Sequence, residues 1–160
     1  MLERSMVERL IRVIEKNAKM MTEDLRTMIL RDPRTLSFQV LDERKLYAIL
    51  FELYSHLGKW LLGESEKAEI PSYYSGLGEL WFEEGFALHQ IVQVLITTKR
   101  HVWDIVVEKG MTGTAKELDA AVDLITILHR FFDMAIYYLI VGYYRPLAMK
   151  IERLEREKNL

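Results

Sequence analysis

Three of the four histidines in this sequence stand three or four residues from an acidic residue. These pairs are Glu52 with His56, His101 with Asp104, and His129 with Asp133. Residues at such separations share one face of a helix, where an imidazole and a carboxylate can bind a metal ion or relay a proton. Helices rich in charge also form such pairs by chance, as ordinary hydrogen bonds at or near the surface.

A metal-dependent enzyme would need more ligands than these pairs offer. The di-iron sites of helical bundles use Glu-x-x-His on two helices together with further glutamates, and the sequence lacks that pattern. We therefore predict no metal site, and an enzyme with carboxylate–histidine metal ligands remains an alternative.

Haem binding is a second alternative, because a proximal imidazole holds the iron in the all-α globins. His101 and His129 are the candidate ligands. The Cys-x-x-Cys-His motif of covalent haem attachment is missing, and a lone histidine on an apolar helix is more often a hydrogen-bonded core residue. We predict no cofactor.

Aromatic residues are concentrated between residues 73 and 144. Tyrosine hydroxyls near His129 and Asp133 could supply the polar contacts of an apolar small-molecule pocket. Aromatic residues at helical spacing more often form an ordinary core. The candidate ligand-binding residues are Tyr73, Tyr74, Trp81, His101, His129, Asp133 and Tyr137.

The sequence offers no residues for covalent catalysis. There is no cysteine and no Gly-x-Ser-x-Gly motif, and the spacing of Gly76, Gly78 and Gly85 does not make a phosphate-binding loop. Asp133 could serve as a general acid if it were buried, but a single carboxylate does not make an active site. We predict that the protein is not an enzyme and has no catalytic residues.

The elements that must position these residues are helices, because apolar residues recur at steps of three and four in every long segment. A long first helix is predicted over Met6–Leu30, ending at Asp32-Pro33, and residues 34–41 form an irregular connection. Residues 63–70 form a polar surface linker. Further helices are predicted over Asp42–Gly63, Pro71–Gly85 and Ala87–Lys109, with Gly110 ending the last of them.

The last helix has the most regular pattern. Thr114 and Glu117 form a capping box at its start, and Pro146 is expected to kink or break it. Beyond Pro146, a narrow apolar seam on a charged helix predicts a partner helix. The buried stripe is predicted to contain Leu118, Ala121, Ile125, Leu128, Phe132, Ala135, Leu139 and Gly142.

Composition fits one soluble domain. The chain has 160 residues, half of them apolar, and a net charge of −2, which provides no electrostatic footprint for nucleic acid. The apolar stretch Met134–Tyr144 is about half of the length that a membrane span needs, and the N-terminus is not a secretory signal. We predict a cytoplasmic protein that neither spans a membrane nor binds nucleic acid.

Four segments carry a family resemblance over most of residues 5–145. They are Tyr73-Tyr74-Ser-Gly-Leu-Gly through Glu84-Gly85, Thr98-Lys99-Arg100-His101-Val102-Trp103, Arg130 through Tyr137, and Gly142-Tyr143. With them the chain resembles the helical N-terminal domain of RsbRD-type stress regulators, a domain type also found ahead of bacterial histidine kinases. The resemblance implies a sensory or regulatory input domain without catalysis. No STAS domain, kinase domain or helix-turn-helix is found up to residue 160, so we expect the output to lie either in a partner or outside these residues.

The sequence therefore predicts an all-α, single-domain bundle of about five helices with long first and last helices, in which a globin-like arrangement is possible. Residues 1–145 form the bundle, and residues 146–160 form a signalling or coiled-coil extension. The predicted function is that of a bacterial input domain or adaptor in signal transduction. Its expected partners are a second copy of the chain and a kinase or STAS-type regulator.

Overall fold

A computed structural model of the chain describes residues 2–61, 63, 69–109 and 113–160, with the side chains of residues 2–5 and His56 left out of the description. Over these ranges the fold is all-helical and has no strand. It contains six α-helices and one 3₁₀ helix, where about five helices were predicted. The α-helices are α1 (Leu2–Lys16), α2 (Ala18–Arg31), α3 (Glu43–Leu61), α4 (Glu69–Glu83), α5 (Leu88–Glu108) and α6 (Ala115–Lys158). Most of the predicted linker at residues 63–70, and Gly110, lie outside the described residues.

The predicted long first helix is divided at Asn17, which corrects the prediction. Asn17 has φ −98° and ψ 14°, and its side-chain amide donates to the Val13 carbonyl at 2.7 Å. Asparagine weakens helices in this way because its side chain competes for backbone partners. The apolar stripe still continues across the division, since Leu10, Met21 and Leu25 are all buried.

The connection between α2 and α3, which was predicted to be irregular, consists of 3₁₀ turns over Pro33–Val40 with a kink at Thr35, whose φ of −132° and ψ of 30° are not helical. Asp32 caps it by accepting from the Arg34 N–H at 2.8 Å. This segment places Phe38 in the core. Its ring centroid lies 5.4 Å from that of Trp81 and 4.7 Å from that of Phe86. This connection is therefore part of the core.

Three predicted helix ends are confirmed. Asp42 accepts from the Arg44 N–H at 2.8 Å ahead of α3, and Thr114 accepts from the Glu117 N–H at 3.1 Å ahead of α6. Gly85 ends α4 with a positive φ of 84°, and the Phe86 N–H reaches the Trp81 carbonyl at 3.0 Å. The last bond belongs to a Schellman cap, which needs a residue in the left-handed region.

Helix α6 is the central element, and its most extensive partner is α4. The predicted stripe is largely correct, but Leu118 is 49% exposed and Ile125 only half-buried. The residues of α6 that are buried are Ala120, Ala121, Leu124, Leu128, Phe131, Phe132, Ala135, Leu139 and Gly142.

Of the kink or break that was predicted at Pro146, the break does not occur, because α6 continues through this residue to Lys158. Proline removes one backbone donor and crowds the carbonyl four residues earlier, which here belongs to Gly142. Every residue from Ile151 onward is exposed, so we call residues 146–160 the extension. Among the described helices, α6 is long and apolar enough to cross a membrane, a criterion that core helices of soluble proteins also meet.

Candidate functional site

The structure divides the seven predicted ligand-binding residues among separate places. Tyr73, Tyr74 and Trp81 lie on α4 and line the same small internal void. His101 is buried on α5. The remaining three, His129, Asp133 and Tyr137, occupy the exposed face of α6. Of the three predicted tyrosines, Tyr137 shares a face with His129 and Asp133, whereas Tyr73 and Tyr74 lie on α4.

The aromatic core around Tyr74 is closely filled. The Tyr74 ring lies 5.9 Å from the Phe131 ring and 6.0 Å from the Trp60 ring. The void lined by Tyr74 and Trp81 measures about 10 Å³, which is room for about one water molecule. Within the described part of the chain, the Tyr74 hydroxyl and the Trp81 indole N–H have no hydrogen-bond partner. Burial raises the pKa of Tyr74 well above its usual range, so this phenol stays neutral.

His101 belongs to a buried polar pair that the sequence did not indicate. Its Nδ1 lies 2.8 Å from the Tyr54 hydroxyl of α3, and its side chain is almost fully buried. Burial lowers the pKa of His101, while Asp24, Asp104 and Glu108 act in the opposite direction. We conclude that a neutral imidazole ties α5 to α3 across the core. The Tyr54 partner was missed because it lies 47 residues away in the sequence.

His129 contributes to a shallow cleft between α5 and α6. The cleft has a volume of about 210 Å³, with Trp103 and Lys99 on the α5 side. Pockets that enclose drug-sized ligands measure roughly 300–1,000 Å³, so this cleft is small. A wider groove of about 470 Å³ lies between α1 and the start of α6, and none of the seven predicted residues lines it.

The histidine–acid pairs do not build a metal centre in the described part of the chain. No group of three or more histidine and acidic side chains is close enough there to hold an ion. Asp104 and Asp133 are both exposed, and the side chain of His56 lies outside the description. The arrangement is that of separate surface and core residues.

A junction between α4 and α6 is the most distinctive geometry in the molecule. A Cβ added at Gly142 would overlap the Ser75 carbonyl, and one added at Gly78 would overlap the Leu139 carbonyl. The two helix backbones are thus in direct contact, which only glycine permits. We call this contact the glycine junction. Its signal in the sequence was a pair of glycines inside helices, where glycine costs about 1 kcal/mol relative to alanine.

Tyr143, the residue after Gly142, links α6 to the end of α4. Its hydroxyl donates to the Phe86 carbonyl at 2.6 Å, and its ring packs edge-on against Phe82 at 5.3 Å. Helix α6 is therefore held by backbone contact and by a hydrogen bond three residues before Pro146. Sequence reasoning placed Tyr143 in the family resemblance but gave it no role.

One face of α6 carries apolar residues from the junction into the extension, and all of them are exposed except Leu147, which is half-buried. They recur at alternating steps of three and four, and we call them the α6 seam. The residues of the α6 seam are Tyr137, Ile140, Tyr144, Leu147, Ile151 and Leu154. Tyr137 and Tyr144 are each more than 60% exposed. Exposed apolar residues in a continuous row mark an interaction surface more often than isolated ones do.

Comparison of the chain with protein-family models, with curated proteins and with solved structures gave no significant match.

Proposed function

We propose that this protein is a non-enzymatic regulatory input domain, in which the helical bundle receives a signal and α6 carries it to a partner. The single observation that carries the proposal is the course of α6. One helix of 44 residues packs in the core and then leaves it. A change in the position of its packed half must move the exposed half as well, unless the helix bends between them.

The glycine junction supports this function because the backbones of α4 and α6 are in direct contact there, with no side chain between them. Backbones in direct contact move together, since packed interiors rearrange between discrete states and do not deform continuously. The Tyr143 hydrogen bond adds a second attachment at the same level of the helix. We propose that displacement of α4, by a ligand or a bound protein, changes the direction of the extension.

The proposed output is a helix-to-helix contact made by the α6 seam in the cytoplasm of a bacterial cell. A kinase or a STAS-type regulator would read the position of the extension, in keeping with the resemblance to stress-regulator domains. Binding of haem or of a small molecule in the aromatic core has less support, because the void there holds about one water molecule.

The coupling between bundle and extension can be measured as a distance. The chain has no cysteine, so spin labels can be attached at Val40→Cys and Met149→Cys, two highly exposed positions. Dilution with unlabelled protein restricts the signal to pairs within one chain. We expect Gly142→Ala to shift or broaden the distance distribution, because the new Cβ must separate α6 from Ser75.

Gly76→Ala is the matched control, since a Cβ at Gly76 meets nothing within 4 Å. This variant should leave the distance distribution unchanged. Tyr143→Phe offers a milder change at the same junction, because it removes only the hydrogen bond to the Phe86 carbonyl, and it should shift the distribution less than Gly142→Ala does. If both junction variants fold and both give the wild-type distribution, the junction does not control the extension and the proposed function fails.

A further inference from the structure

We infer that the α6 seam pairs with the α6 seam of a second copy as a parallel, in-register, two-stranded coiled coil. The inference rests on the proposed function, because it names the partner of the extension. It also extends the contact beyond residues 146–160, since the seam begins at Tyr137 inside the packed half of the helix.

The spacing of the seam is that of a heptad repeat. Tyr137, Tyr144 and Ile151 are seven residues apart and occupy position a. Ile140, Leu147 and Leu154 follow each of them by three residues and occupy position d. A heptad seam makes two helices wind around each other, because its 3.5-residue period keeps one face toward the partner. The seam runs for about 26 Å at 1.5 Å per residue.

The seam and the core stripe lie on different faces of the same helix. The core stripe passes through Ala135, Leu139 and Gly142 and faces α4. The seam residues nearest to these, Tyr137, Ile140 and Tyr144, are exposed. A second copy can therefore reach the seam without displacing α4. In the extension the seam continues through the half-buried Leu147 to Ile151 and Leu154, which are exposed.

In the extension, where Ile151 occupies position a, the residue types favour two parallel strands. A β-branched residue at position a with leucine at position d selects parallel dimers, and the extension has Ile151 between Leu147 and Leu154. The flanking charges agree with this orientation. Lys150 occupies position g, and Glu155 occupies position e of the next heptad. In a parallel pair, these two positions meet across the interface as an attractive contact, twice in a symmetric dimer.

Association at this seam starts from a helix that already exists. Isolated helices shorter than about 12–15 residues are marginal in water because the first turn is costly to form. Here α6 is nucleated by its cap at Thr114 and by core packing. The extension therefore only has to continue a helix that has already formed. A seam of fewer than three heptads can then pair, although a free peptide of that length would not be expected to.

Cysteine cross-linking tests both the pairing and its direction in the full chain, which contains no natural cysteine. Leu147→Cys and Leu154→Cys each place a thiol at position d, and both should form a covalent dimer on oxidation. In an antiparallel pair at most one of them could meet its own copy. Met149→Cys lies at position f, on the outer side, and should stay monomeric under the same conditions.

Charge exchange provides an independent readout by analytical ultracentrifugation. Lys150→Glu should raise the dimer Kd roughly tenfold, since two attractive pairs become repulsive. The double variant Lys150→Glu, Glu155→Lys should restore the wild-type Kd. A chain that sediments as a monomer at all concentrations, cross-links equally at position f, or inserts this face into lipid vesicles overturns the inference. The spin-label distances within one chain would still decide the proposed function separately.

Discussion

The two halves of α6 are built on the same helical period but have opposite surroundings. Every buried residue of the helix lies between Ala120 and Gly142, whereas every residue from Ile151 to the end is exposed. The packed half has alanine and glycine in its stripe and reaches α4 by backbone contact. The exposed half has leucine and isoleucine in a narrow seam flanked by charge.

This difference teaches that residue size within an apolar stripe carries information that periodicity does not. Small residues let two helix axes approach, so a stripe with Ala135 and Gly142 fits inside a bundle. Branched residues in a strict heptad are typical of a helix that pairs with another helix. The first two of the three predictions that follow test this contrast between the packed and the exposed half of α6, and the third concerns the buried pair at His101.

Truncation of a large apolar side chain should separate the two halves most clearly. Phe132→Ala removes a fully buried ring and should lower the free energy of unfolding by about 3–5 kcal/mol. Leu154→Ala, at a half-exposed position, should change it by no more than about 0.5 kcal/mol. Urea unfolding at low protein concentration measures both without a contribution from association. Equal losses in the two variants would contradict the contrast.

Two adjacent tyrosines allow a finer comparison at the boundary between the packed and the exposed half of α6. Tyr143→Phe removes the hydrogen bond to the Phe86 carbonyl and should cost about 0.5–1.5 kcal/mol of unfolding free energy. Tyr144→Phe removes a hydroxyl from a side chain that is 63% exposed and should have little effect. Urea midpoints measured side by side decide this, and an unchanged midpoint for Tyr143→Phe would mean that its hydroxyl does not hold α6.

Acid should destabilise the fold through the buried His101. Burial lowers the pKa of His101 below its ordinary value of 6.5, so the unfolded chain binds the proton more readily. The free energy of unfolding should therefore fall as the pH drops below about 6.5 and be unaffected by this group at higher pH. His101→Gln should flatten this fall. Thermal unfolding between pH 5 and 8 is the measurement, and identical profiles for the wild type and the variant would contradict the assignment.

Helix content and most core residues could be predicted, because burial leaves a period of 3.6 residues in the sequence. The caps at Asp42, Thr114 and Gly85 could also be predicted, because each depends on a few neighbouring residues in the sequence. The division at Asn17 was missed because the apolar stripe passes through it unbroken. The continuation through Pro146 was missed because a proline's cost of about 3 kcal/mol does not decide the outcome in a helix anchored elsewhere.

The candidate site was much less predictable than the fold. His101, Tyr74 and Asp133 all lie on helices and all looked suitable for a pocket, yet two are buried apart and one is exposed. Spacing along one helix tells which residues share a face. It does not tell which face of a neighbouring helix those residues will contact.

By itself the amino-acid sequence determined an all-helical chain, the face of each helix that avoids water, and most of the points where helices begin and end. These follow from contacts within about four residues and from the hydrophobic effect. Only the tertiary structure decided that Tyr54 meets His101, that Gly78 and Gly142 bring α4 and α6 together, and that the α6 seam remains uncovered. Those outcomes depend on contacts between residues that are far apart in the chain. Which of these contacts form is decided by the packing of all the helices together.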